Sequence, residues 1–168
     1  MPERLPDVID PMGFAEKRRH LKGVIPVVKL DRLTEFLMKT DGEVEVDLTF
    51  TRQGRTATIV GQVSAELMLQ CQCCLGPISW PVACEVQLGI VNSVDAAMQL
   101  SDEMEPLLVT PDAEMPLADI VQDELILAVP AIPQHPDCRM PSLADPAPER
   151  PNPFADLVQI KSKRSIEE

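Results

Sequence analysis

Tyrosine is absent from this 168-residue chain, and the remaining aromatics are Trp80 and four phenylalanines. Its core therefore has to be aliphatic and filled out with methionine. Long apolar runs are missing too: a membrane-spanning helix needs about 18 or more such residues, and the longest run here, Leu125 to Ile132, is broken by Pro130. The N-terminal Met-Pro-Glu-Arg-Leu-Pro lacks the apolar stretch of a secretory signal. There are only two histidines, no glycine-rich phosphate loop and no nucleophile–base pair that spacing would identify. A non-enzyme is the expectation, with neither a membrane nor a small-molecule substrate as its partner.

Positive charge is scarce where negative charge is dense. The formal net charge is −12, yet residues 1–40 carry eight Lys/Arg against six Asp/Glu, while residues 91–149 carry one against twelve. An acidic half of this kind repels a phosphate backbone and suits solvent or a basic protein. Phosphate contacts, if any, would fall to Lys17, Arg18, Arg19 and Lys22, to Arg52 and Arg55 in a turn, or to the Lys161-Ser162-Lys163-Arg164 tail.

Five cysteines are present, and four of them lie between positions 71 and 84. Cys71 and Cys74 form a C-x-x-C pair. Tetrahedral zinc requires thiolates about 3.8 Å apart, which such a turn provides. Gly76 turns the backbone behind the pair. This is half a zinc site; His135-Pro136-Asp137-Cys138 offers a second pair of the same spacing further along the chain. Together Cys71, Cys74, His135 and Cys138 make a Cys3His set. Separate surface thiols, or a half-site alone, are the competing readings. An odd number of clustered cysteines favours a reducing cytoplasm over an oxidising compartment.

Periodicity places these groups on an α+β fold. The first ten residues are expected to be disordered. Asp10 caps a short helix from Pro11 to His20; Leu21 to Val28 reads as a strand and Asp31 to Lys39 as a helix. Period-two alternation then runs through three segments over residues 43–91, predicting an antiparallel β-meander. Gly61, inside the second segment, marks a bulge or bend. Cys84 and Trp80 fall on the apolar parity and read as core. A short strand is expected at Leu107–Val109. The main helix spans about residues 116–129, with Leu117, Ile120, Val121, Leu125 and Ala128 on the apolar face and Asp119, Gln122 and Asp123 toward water. Residues 1–140 form one domain, and residues 141–168 a Pro-rich linker and a short segment carrying Phe154, Leu157, Val158 and Ile160. Strands on both sides of the C-x-x-C pair place it at a hairpin tip. A thioredoxin-like pair opens a helix instead, so catalytic redox chemistry is disfavoured.

Four stretches, in order along nearly the whole chain, resemble the large-ribosomal-RNA-subunit accumulation protein family, the bacterial YceD proteins. They are Asp10-Pro11 with Lys17-Arg18 and Gly23; Cys71-Gln72-x-Cys74-Leu75 with Pro77; Asp123 to Pro130 with Pro133 and His135; and Pro151-Asn152-Pro153-Phe154-Ala155. The resemblance implies a cytoplasmic, non-enzymatic factor in synthesis, processing or stability of large-subunit ribosomal RNA. Its partner would be precursor RNA or a basic ribosomal or assembly protein, with Asn152, Pro153 and Phe154 among the contact residues. Some relatives carry two pairs of zinc-type cysteines, matched here by Cys71/Cys74 and, loosely, His135/Cys138. Cys73 stands where the family commonly has Arg, which removes a phosphate contact from the tip. The alternative is a thiol-based redox sensor using Cys71, Cys73 and Cys74, or a zinc-knuckle protein-interaction module.

Overall fold

The computed structural model describes residues 5–110 and 113–138. Its centre is the expected meander. Strands β3 (Glu43–Gln53), β4 (Thr56–Gln70) and β5 (Pro77–Val91) pair antiparallel in sequence order. On one side β2 (His20–Pro26) pairs antiparallel with β3, and on the other β6 (Glu105–Leu108) runs parallel to β5. The result is an open five-stranded sheet in the order β2-β3-β4-β5-β6. The β5–β6 connection carries one helical turn, α3 (Val94–Ala97), capped by the Ser93 hydroxyl.

The alternating pattern has the physical effect that period two dictates. Val44, Val46, Leu48 and Phe50 of β3 point into the core with Ile59, Val63, Leu67 and Leu69 of β4 and Val82, Val86, Leu88 and Ile90 of β5. Helix α4 (Leu117–Ala128) buries Leu117, Ile120, Val121 and Leu125 in the same core. Pro116 precedes it, and Val129, extended ahead of Pro130, stops it as a residue before proline should. Trp80 and Cys84 are half-buried on the core side.

Several local details differ from the sequence pattern. Gly61 makes no bulge: the register runs unbroken from Val60↔Thr49 through Gly61↔Leu48 to Gln62↔Asp47. It is instead a place of close approach, where a Cβ would collide with the Asp47 carbonyl oxygen. Gly61→Val should therefore push β3 and β4 apart at the centre of the sheet. It should cost about 1–3 kcal/mol or more, the usual range for overpacking, read as a lowered urea midpoint with an unchanged m-value.

Gln122 does not face water. It is 4% exposed, and its Oε1 accepts the Arg32 N–H at 3.1 Å while its Nε2 donates to Asp119 at 2.9 Å. The short helix α2 (Asp31–Thr34) has no side-chain cap of its own, so α4 supplies one. The helix expected through Lys39 ends at this single turn; the chain then runs to a bridge between Lys39 and Met68. Gln122→Leu should cost about 1 kcal/mol by leaving that part-buried N–H without its side-chain partner.

The first residues carry no periodic signal, yet Val8–Ile9 (β1) pair with Met115–Pro116 (β7) just ahead of α4. Ile9 is buried, and the Leu117 N–H donates to the Asp7 carbonyl. Hydrogen bonds between distant backbone segments leave no local pattern.

Candidate metal centre and basic end

The β4–β5 hairpin ends in a knuckle at residues 71–76. The Cys71 N–H donates to the Gly76 carbonyl and the Leu75 N–H to the Cys71 carbonyl. The sharp bend falls on Leu75, whose φ is 61°, rather than on Gly76. A leucine in the left-handed region is uncommon and strained, and this one is 61% exposed.

The segment leaving α4 folds back onto this tip. The Gln72 N–H donates to the Pro133 carbonyl at 2.8 Å, which sets the two segments side by side. His135 and Cys138 then meet Cys71 and Cys74, and the four donor atoms lie within 4.8 Å of one another. Cys71 Sγ is 3.6 Å from Cys138 Sγ, and Cys74 Sγ is 3.6 Å from His135 Nδ1. Those separations match the edge of a tetrahedron around a metal with bonds of about 2.0–2.3 Å. His135 Nε2 lies 3.2 Å from the Pro77 carbonyl. A carbonyl can only accept, so Nε2 carries the proton and Nδ1 presents its lone pair to the thiols, the usual outer partner of a ligating imidazole.

Burial alone would push the Cys71 thiol up. Backbone N–H groups of Cys74, His135 and Cys73 and the Cys138 thiol, all directed at its sulfur, bring it down to about 5. Cys138 is raised, by its hydrogen bond with Cys73, by burial and by the neighbouring Cys74 and Cys71. One thiolate surrounded by donors is the arrangement a cation would replace. All five cysteines are free thiols, and Cys84 stands apart with its S–H directed at the Val63 carbonyl.

The opposite end of the hairpin gathers cationic side chains. Helix α1 (Pro11–Glu16), capped by Asp10, is shorter than the sequence pattern implies. It closes in a Schellman motif: the Arg19 N–H returns to the Phe14 carbonyl and the Arg18 N–H to that of Ala15, with Arg18 at φ 49°. Glycine usually occupies this position. The reversal leaves Lys17, Arg18 and Arg19 exposed, with the Arg19 guanidinium 5.6 Å from the centre of the Phe14 ring. The Phe50 N–H donates to the Arg19 carbonyl and Arg52 lies 3.7 Å from Glu16, so the β3–β4 turn with Arg55 is at this same end. Lys22 lies nearby on β2, but Asp47 holds both it and His20 at 2.7 Å. Hydrogen bonding to Lys22, then to His20, lowers the Asp47 carboxyl, and the same contact raises Lys22. β4, at 15 residues and about 3.3 Å each, separates the two ends by roughly 45–50 Å. Asn152, Pro153, Phe154 and the 161–164 tail lie outside the described residues.

Sequence reasoning missed the Pro77 carbonyl, the Gln72–Pro133 bond and the Asp47 partnership, none of which has a local signature. One signal was available: residues 56–138 contain no lysine or arginine at all. Every described cation therefore comes from residues 17–55.

A small open-sheet α+β domain, with a Cys3His cluster at one end of its longest hairpin and a basic cluster at the other, is the class of protein these features define. Residues 59–161 match the family model described as "Large ribosomal RNA subunit accumulation protein YceD", and the chain belongs to that family. It is 30% identical to the Haemophilus influenzae protein of the same description, over 95% of this chain and 98% of the relative. No solved structure matches it. Among the described residues no helix is long and apolar enough to cross a membrane.

Proposed function

We propose that this chain is a non-enzymatic cytoplasmic factor supporting synthesis, processing or stability of large-subunit ribosomal RNA. Its likeness to the Haemophilus influenzae protein, which extends over nearly the full length of both chains and whose name states a part in large ribosomal RNA subunit accumulation, supports the reading. The basic end meets precursor RNA through Lys17, Arg18, Arg19, Arg52 and Arg55, and the acidic surface of residues 56–138 faces away or meets a basic ribosomal or assembly protein. Arg18 supports this face: an arginine in a position that favours glycine costs about 1–2 kcal/mol of backbone strain, the kind of local cost functional sites retain.

The cluster of Cys71, Cys74, His135 and Cys138 would hold one zinc ion, whose chemistry there is structural. It clips the segment after α4 to the hairpin tip and leaves no open coordination position. No reaction is assigned to it.

A tagged full-length chain purified from growing cells should bring down particles containing large-subunit precursor RNA. Recovery of no ribosomal RNA above that of an untagged control would overturn the proposal. Arg18→Gly gives a finer test: the folded domain should gain up to about 1 kcal/mol while its RNA affinity falls, a divergence that a purely structural residue cannot show. Asp47→Asn should act the other way, releasing His20 and Lys22. It should strengthen binding and steepen the plot of log affinity against log salt by about 0.7–0.9, one phosphate contact.

A further inference from the structure

We propose that the free edge of β5, from Val82 to Gln87, takes up an extended, lysine- and arginine-rich segment of a partner protein as an added strand. The inference deepens the proposed function, in which a basic protein meets the acidic side, and rests on that part of it. β5 pairs with β4 from Pro77 to Ile90, but β6 lies beside it only from Leu88 to Val91. Among the described residues no strand covers Pro77 to Gln87 on that side.

The register fixes which backbone groups this edge presents. Pro77 directs its carbonyl to His135 and Val91 its carbonyl to the Val109 N–H, both away from β4. The β4–β5 pairing between them has no bulge, so the odd-numbered residues of β5 turn their N–H and C=O groups to the edge. Pro81, which has no N–H to offer, stands at one of these positions, where a strand tolerates proline. Ala83, Glu85 and Gln87 occupy the next three. At about 3.3 Å per residue, Val82 to Gln87 offers roughly 20 Å of edge, the length of an ordinary strand.

Charge selects the occupant. Glu85, Gln87, Leu88, Glu103, Glu105 and Glu124 line an open groove beside this edge. Glu105 pairs with Leu88 and shares its core-side parity, the side on which α4 carries Glu124, while Glu85 and Gln87 lie on the opposite parity. Carboxylates therefore flank the edge on both faces, and an added strand sends its side chains alternately to each. The ion pairs of the described residues use Asp7, Glu16, Asp47 and Asp123, and none of these four glutamates. Burial, then Glu105 and Asp123, push the Glu124 carboxyl up, a cost that an incoming cation would relieve. The same charges repel RNA phosphates, and with Pro81 they guard the edge against a second copy of itself. Main-chain hydrogen bonds would supply affinity, and the carboxylates would select basic side chains.

The test uses the full-length chain and a strand-length synthetic peptide that alternates lysine with valine and threonine. Affinity is read by fluorescence polarisation and amide exchange by NMR. The peptide should bind and slow exchange at the Ala83 and Glu85 N–H groups. The same peptide N-methylated throughout keeps its charge but cannot pair, and should bind at least tenfold more weakly. Ala83→Pro removes an edge N–H that β4 does not use; it should lose at least tenfold in affinity with a native circular dichroism spectrum. Should that variant fail to fold, the methylated peptide and the exchange data decide. Equal affinity of the two peptides would overturn the inference. So would protection of those amides in the chain alone, by its own segment or a second copy, or their protection by precursor RNA. A pull-down without ribosomal RNA, with peptide binding intact, would refute the ribosomal role and leave the edge standing; absent peptide binding would overturn the edge alone.

Discussion

Chelating the metal from the purified chain should lower its melting temperature by about 10 °C or more. The knuckle and residues 133–138 are joined by one backbone hydrogen bond and by the contacts of the four donors themselves. Without an ion, the buried Cys71 sulfur is met by N–H groups of Cys74, His135 and Cys73 and by the Cys138 thiol. A structural zinc contributes its binding free energy to folding, and for a domain of this size about 1 kcal/mol moves the midpoint by roughly 2–5 °C. Cys71→Ser should reproduce the loss and make the protein indifferent to chelator. Cys84→Ser should leave metal content unchanged, since that thiol lies away from the cluster. Calorimetry with and without chelator, alongside elemental analysis, measures both. An unchanged melting temperature with no stoichiometric metal would contradict the zinc clip.

The second large effect is expected at the opposite end. Replacing Lys17, Arg18 and Arg19 together by Ala should flatten the dependence of RNA affinity on salt by about 2–3 in logarithmic slope, since each lost phosphate contact removes about 0.7–0.9. All three side chains are exposed, so circular dichroism should be that of the native fold. The largest structural loss is the Arg19–Phe14 contact, about 0.5–1 kcal/mol at an exposed site. Filter binding with precursor ribosomal RNA across a salt series is the measurement. An unchanged slope would reject this surface and turn attention to a basic protein on the acidic side.

Much of the fold was legible because period two and period 3.6 are local. Val44 to Phe50, Ala57 to Leu69 and Ile78 to Ile90 announce three strands, and Leu117 to Leu125 announces a helix. The four metal-type donors were legible because Cys and His at x-x spacing are few in this sequence. Positions that owe their role to a distant partner were not. Gly61 reads as a bulge until the Asp47 carbonyl is known to lie against it. Gln122 reads as exposed until α2 lies alongside α4 with an uncapped N–H. The basic run at residues 17–19 reads as the continuation of a helix, because a left-handed arginine has no sequence signature. Gly76 was expected to make the turn that Leu75 makes, for the same reason.

The separation of the two ends follows from the length of β4, yet it reorganises the functional reading. The Cys3His cluster lies too far from the basic cluster for the two to form one binding tip. On the proposed reading, a metal there would stabilise one end of the domain and the charge at the other would do the recognising.

The most direct measurement of this account is the ratio of large-subunit to small-subunit ribosomal RNA in cells depleted of the protein. The ratio should fall on depletion and return with the wild-type gene, while the Lys17/Arg18/Arg19 triple alanine variant, expressed at the same level, should restore it only in part. A ratio unchanged by depletion would contradict the account.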